Sequence, residues 1–359
     1  MWCTMWFMFT AYNRKYNYSI AFIKVFMSFC VICCHFWATG DPSFYPVAFM
    51  YRMRDVAAPV FILVSFLLTY KMYLKPDVQK LKQRLYRLLV PYFTWGVIYY
   101  LGCLLIGIIL SKIRIENDFV IRFTKKDLMW QLLFGCDRYL APQFWYQFNL
   151  VVFIVFFWLL FRFLRKPAKY ILIALAVLAL VSEYSGLNYF IFARFEYEIW
   201  WPGGRLTELF PCAVAGFFLA DLKLMKKLKI YWEITFTAAA VLMLMISYAV
   251  TIPAPEYGFS YSGIYVLLYT ILAFILMYVI PWEKLPAAAL KVLRFLSRYS
   301  FGVYCIHYFI GRVWSDIICV NRGWTRDTFL SCVIIYAVSV LLSWLISQVP
   351  GKFFRMLVE

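Results

Sequence analysis

Charge is scarce in this chain: Asp, Glu, Lys and Arg make up 15% of its 359 residues, where soluble domains carry about 25%. Acidic residues are the rarer sign, 18 against 36 basic ones, and histidine is almost missing, with two in the whole sequence. Hydrophobic residues reach 65% and aromatics 22%, and the mean hydropathy is +0.75. A water-soluble globule of this length has nowhere to hide so much apolar surface. The composition excludes a soluble enzyme, a disordered chain and a small secreted disulfide scaffold.

Other absences narrow the chemistry. The ten cysteines show no metal-ligand spacing, and most sit in apolar runs as small hydrophobes. Cys30, Cys33, Cys34 and His35 come closest to a motif, but C-x-x-C-H fails because Val31 occupies its first position. There is no Walker loop and no G-x-S-x-G. The H-x4-D motif of glycerolipid acyltransferases fails at His35, since Gly40 stands where the acid belongs and Asp41 comes one residue late. No metal site and no tightly bound cofactor is expected.

What the chain has instead is long apolar runs, and a helix needs about 17–25 such residues to cross a bilayer. Ten runs qualify, at approximately 20–38, 56–74, 88–110, 148–164, 168–184, 205–220, 231–251, 261–280, 299–320 and 328–349. The expected architecture is an all-α membrane protein of about ten transmembrane helices in one bundle. A single polytopic domain over 1–359 is expected, with no appended soluble domain. With the N-terminus in the cytoplasm, the basic stretches 71–87, 162–167, 221–230 and 281–298 fall inside, and most acidic residues fall outside. The net charge of +18 is then a positive-inside signal, with both termini cytoplasmic, rather than a sign of nucleic-acid binding. Segments 111–147 and 184–204 are the outside stretches, rich in aromatics, suited to interfacial belts or to roofing a cavity.

Ionisable groups within spans are costly and point to function. Lys24 and His35 are eleven residues apart, which returns to within roughly 20° of the same helix face, about 16 Å along the axis. The bland alternative has Lys24 snorkelling to headgroups and His35 capping the helix near water. Imidazole is the side chain best suited to removing a hydroxyl proton near neutral pH, and His307, in the ninth run, is the other one. Arg84 and Arg87 stand at the mouth of the third run, three apart and so neighbours on a helix. Their guanidinium forks suit phosphates, while topology and lipid headgroups would also place arginines there. Glu208, near Arg205, either pairs with it or faces a polar cavity.

Taken in order, these residues resemble the acyltransferase-3 family of integral membrane acyltransferases, which modify bacterial surface sugars. The family's Lys or Arg, ten residues, then His is matched by Lys24 and His35. Its R-x-x-R is matched by Arg84 and Arg87, and the following P-Y/F-x-x-W by Pro91, Tyr92 and Trp95. Trp145-Tyr146 is similar to its W-F/Y motif, and Ser300, Gly302, Tyr304 and His307 to its S-x-G-x-Y-x-x-H. The family's S-G-F in the second span reads Val64-Ser65-Phe66 here, which leaves open a close helix contact at that point. Lys24 keeps the charge of the commoner Arg without its fork.

The resemblance implies an O-acyltransferase, with O-acetyl transfer the commoner case, moving an acyl group from cytosolic acetyl-CoA or another acyl-CoA to a hydroxyl of a cell-surface glycan or lipid-linked sugar. A bacterial inner membrane location is expected with it. His35 and Lys24 would be the catalytic residues, with His35 as base; Arg84 and Arg87, joined by Lys24 at the cytoplasmic mouth, would hold the CoA phosphates, and Trp145, Tyr146, Tyr304, His307 and Glu208 would line the acceptor cavity. The main alternative is a transporter or flippase for a glycan, lipid or organic anion, against which stand the absence of visible repeats and of matched broken spans. The other large class of membrane acyltransferases with an intramembrane histidine lacks the paired motifs.

Overall fold

A computed structural model describes residues 16–37, 53–112, 125–135, 141–185, 197–222, 224–251, 263–325 and 328–359. Every regular element among them is helical. The first half contains α1 (Tyr18–Phe36), α2 (Ala57–Leu74), α3 (Val78–Lys112), the short α4 (Lys125–Phe134), a 3-10 turn at Pro142–Phe144 and α5 (Trp145–Leu164). The second contains α6 (Pro167–Tyr184), α7 (Tyr197–Asp221), α8 (Leu224–Ile230), α9 (Trp232–Thr251) and α10 (Ile264–Val279). There follow α11 (Ala287–Arg312), which runs on into a π-helical turn at Val313–Cys319, then α12 (Phe329–Gln348) and α13 (Lys352–Val358).

All ten expected apolar runs coincide with helices. Seven helical stretches among the described residues are long and apolar enough to cross a membrane, and an eighth counts if α8 and α9, bent by 102° at their junction, are taken as one span. Their ends follow local chemistry. The Asn17 side chain accepts the Ile20 N–H at 3.1 Å and caps α1; Thr328 does the same for Ser331 N–H at the start of α12. Pro167 opens α6, where its missing N–H costs nothing.

Helices in lipid gain little from hiding apolar surface against one another, so small residues and close backbone approach decide which pairs pack. The bundle follows this rule at three points. Gly216 of α7 lies on the Leu63 carbonyl of α2, where any Cβ would overlap the backbone. The close helix contact left open by Ser65 in place of the family's glycine is thus supplied near this level from the facing helix. Gly302 of α11 faces Ser343 of α12, and Tyr299 and Ser347 bond hydroxyl to hydroxyl at 3.1 Å beside it. Gly311 of α11 lies under the Phe36 ring of α1. Aromatic side chains fill the rest: Phe66, Tyr73, Phe157 and Phe217 join α2, α5 and α7 in one cluster.

The described parts of the segment 111–147 pack beside the middle of α3. Tyr92 donates to the Gln131 carbonyl at 2.7 Å, a Cβ at Gly96 would meet the Leu132 side chain, and Gln147 donates to the Leu88 carbonyl at 2.6 Å. Pro91 lacks the N–H that would bond to the Arg87 carbonyl, one residue before the Leu88 carbonyl that Gln147 reaches. Residues 113–124 and 136–140, and most of the 184–204 stretch expected outside, lie beyond the described residues.

Candidate active site

The two histidines of the chain meet. His35 sits in the last turn of α1 and His307 in the upper half of α11, and their ring centroids are 5.5 Å apart. Gly311 makes this possible, because without a side chain there Phe36 settles onto α11 and brings the end of α1 against it. His307 is fully buried. Its Nδ1 lies 2.8 Å from the Tyr304 carbonyl and 3.1 Å from that of Val303, while Nε2 has no hydrogen-bond partner among the described residues. His35 is half-buried, and its ring meets that of Tyr308 edge to face with centroids 5.3 Å apart.

From His307 a row of nominated residues continues downward through the bundle. Tyr304 lies one turn below it, with ring centroids 6.3 Å apart, and Tyr146 of α5 meets Tyr304 edge to face at 5.6 Å. The Tyr304 hydroxyl donates to the Gln143 carbonyl at 2.5 Å, which ties α11 to the turn that presents Trp145 and Tyr146. Beyond Tyr146, the Arg84 guanidinium lies within electrostatic reach of the Tyr146 and Tyr73 hydroxyls. Arg84 donates from Nη2 to Ser65 Oγ at 2.5 Å, so Ser65 has a task as a hydroxyl that a glycine would not perform. Arg84, Tyr146, Tyr304, His307 and His35, far apart in sequence, come together as a series of neighbours from four helices.

Other nominated residues stand off this line. Arg87 is exposed while Arg84 points inward, so the two do not form a single buried clamp. Lys24 is half-buried on α1, and among the described residues its ammonium has no hydrogen bond or ion pair. Trp145 is buried on the opposite side of Tyr146, with the Arg205 guanidinium 5.7 Å above its ring. Arg205 pairs with Glu208 at 2.5 Å, and Thr207 bonds Glu183 at 3.2 Å alongside. Glu208 therefore belongs to an ion pair that adjoins the row through Trp145. Tyr92 and Trp95 act as anchors: the Trp95 indole donates to the Leu357 carbonyl at 3.0 Å and holds α13 against α3.

Several polar residues here carried no sequence motif. The Tyr99 hydroxyl of α3 donates to the Cys305 carbonyl at 2.8 Å and accepts from Phe309 N–H at 3.1 Å. Those two groups are four residues apart and form an ordinary helical pair, so Tyr99 braces the very turn that bears His307. Gln143 donates to the same hydroxyl at 2.8 Å. Arg54 donates to the Trp37 carbonyl at 2.9 Å and lies within electrostatic reach of His35. Arg312 pairs with Asp316 across the start of the π-helical turn, and π-helical turns recur at functional sites. The signal for Tyr99 and Gln143 was only that of polar groups in apolar surroundings.

Chemically, the row offers a cation at one end, a pair of imidazoles at the other, and phenol rings between. No curated protein and no solved structure matches the chain at a significant level. A family model described as an acyltransferase domain does match, over residues 17–348. That span runs from the cap of α1 to the last residue of α12 and includes every member of the row, and on this ground the chain belongs to the acyltransferase-3 family and is a membrane acyltransferase.

Proposed function

We propose that this protein transfers an acyl group, acetyl in the first instance, from cytosolic acyl-CoA to a hydroxyl of a cell-surface glycan or lipid-linked sugar. In this reading it sits in a bacterial inner membrane with ten spans, both termini cytoplasmic, and works as a single domain. The observation that supports the reading is the series of neighbours from Arg84 to His35, which would join a phosphate-binding group to a proton acceptor through the bundle.

Arg87 at the exposed mouth and Arg84 within it hold the phosphates of CoA, and Lys24 adds positive charge deeper in. The pantetheine arm passes Tyr146 and Tyr304, and the thioester carbonyl comes to rest beside His35. The acceptor hydroxyl donates its proton to His35 as its oxygen bonds to the acyl carbon. The C–S bond then breaks, and the CoA sulfur leaves with the proton that His35 returns. General-base assistance of this kind contributes typically 10²–10⁴-fold. Trp145, with Tyr146 and the Arg205–Glu208 pair beside it, supplies a flat face and polar groups for the sugar.

The test is acetyl-CoA binding to the purified protein, wild type beside the Arg84→Ala/Arg87→Ala double variant, at two salt concentrations. Saturable binding that the double variant abolishes is the expected result. A well-folded protein that neither binds millimolar acetyl-CoA nor releases free CoA from it would overturn the reading in favour of transport.

A further inference from the structure

The reaction as written uses His35 and leaves His307 without a task, yet His307 is the more deeply buried of the two. A carbonyl oxygen only accepts, so the contacts of Nδ1 with Val303 and Tyr304 require the hydrogen to be on Nδ1. In the neutral ring Nε2 is then a bare lone pair. It is buried and, among the described residues, unpartnered, a state that costs free energy unless a donor completes it. The His35 ring neighbours the His307 ring, 5.5 Å between centroids and tilted by 33°. Two imidazoles joined by one N–H···N bond have centroids roughly 5 Å apart, a separation close to the one found here.

Resting on the assignment of His35 as base, we propose that His307 is a positioning residue whose Nε2 accepts the N–H of one His35 ring nitrogen. The other His35 nitrogen is thereby left bare and becomes the one that takes the hydroxyl proton. His307 neither gains nor loses a proton during turnover. It does for His35 what a carboxylate does for many catalytic histidines, with two main-chain carbonyls fixing its own tautomer from behind. Arg54, the nearby cation, cannot take this part, because a guanidinium has no acceptor. The turn carrying His307 is held in place from α3 by the Tyr99 hydroxyl at Cys305 and Phe309.

Because the sequence contains only two histidines, the tautomers are directly readable. Protein labelled with ring-¹⁵N histidine, in lipid nanodiscs, is expected to show His307 protonated at Nδ1 alone and His35 in one fixed tautomer. In His307→Ala the His35 signals are expected to average between tautomers, and in His307→Gln, whose amide oxygen accepts, to become single again. In CoA release from acetyl-CoA, His307→Ala should lose kcat by on the order of 10–100-fold, as for other groups that orient a histidine. KM for acetyl-CoA should stay unchanged, and His307→Gln should recover part of the rate. An unaltered His35 spectrum in His307→Ala overturns the proposal, as does a hydrogen on His307 Nε2. If His307→Ala does not fold, the wild-type spectrum decides, since averaging of His35 there is equally fatal. Fixed tautomers in a protein that does not cleave acetyl-CoA would sink the donor assignment and leave the histidine pair standing.

Discussion

The Phe36 ring rests on the bare Cα of Gly311, and this contact sets the approach of α1 to α11 at the level where His35 meets His307. A methyl group at position 311 overlaps the ring, so the helices must part or Phe36 must leave. Overpacking of this kind costs about 1–3 kcal/mol. Gly311→Ala is therefore expected to lower the thermal midpoint in detergent and to reduce CoA release far more than the stability loss explains. Normal activity in that variant would separate the histidine contact from the chemistry.

His35→Ala should abolish most of the acyl transfer, a loss of roughly 10²–10⁴-fold, while acetyl-CoA affinity, carried chiefly by the arginines on the CoA phosphates, changes far less than the rate. Titration calorimetry beside a CoA-release assay checks both halves. Weakened donor binding with an intact rate of transfer would remove His35 from the role of base.

The two arginines are expected to behave differently, which their spacing alone does not suggest. Arg87 is exposed, so Arg87→Ala should weaken acetyl-CoA binding severalfold at low salt, and the difference should shrink as salt screens it. Arg84 is held by Ser65 inside the bundle, where screening is weak. Arg84→Ala should cost on the order of tenfold or more, about 1.4 kcal/mol, at either salt concentration. Equal salt dependence in the two variants would contradict the inward placement of Arg84.

The Arg205–Glu208 pair offers a test of whether Glu208 is structural or serves the acceptor. Both side chains are largely shielded, 13% and 15% exposed, and breaking a buried pair from one side costs about 3–5 kcal/mol. Arg205→Met alone should destabilise the protein strongly, and adding Glu208→Leu should restore most of the thermal midpoint. Restored stability with restored transfer marks the pair as structural. Restored stability without transfer assigns Glu208 to the acceptor site.

The sequence made the helices legible because crossing a bilayer imposes a length and a composition that few other structures share, and each of the ten apolar runs coincides with a helix. The packing of the segment 111–147 against α3 was not legible in its length or in its mixture of charges and aromatics, because it rests on single glutamines. In the structure Gln143 and Gln147 donate to partners across helices, while Gln131 lends its main-chain carbonyl to Tyr92. Helical spacing correctly made neighbours of Arg84 and Arg87 but could not say which faces Ser65, since that depends on how α2 lies against α3. Periodicity within one helix put Lys24 and His35 on a common face, yet the partner of His35 comes from α11, a relation that no single-helix argument reaches. Tyr99 was invisible altogether, being one tyrosine among 28.

Arg84 and Tyr99 belong to the same helix, fifteen residues apart, about 22 Å along its axis. One rod thus carries the guanidinium at one end of the row and the hydroxyl that braces the histidine turn at the other. The separation between the two ends is a count of residues, and a count is not adjustable by repacking. Inserting one residue between Leu88 and Trp95 would swing Arg84 by about 100° around the rod and lift it about 1.5 Å relative to Tyr99. Substitutions along this stretch are graded in their effects, whereas a change of its length is all or nothing. α3 is a ruler, and its markings are fixed by the rise of the helix.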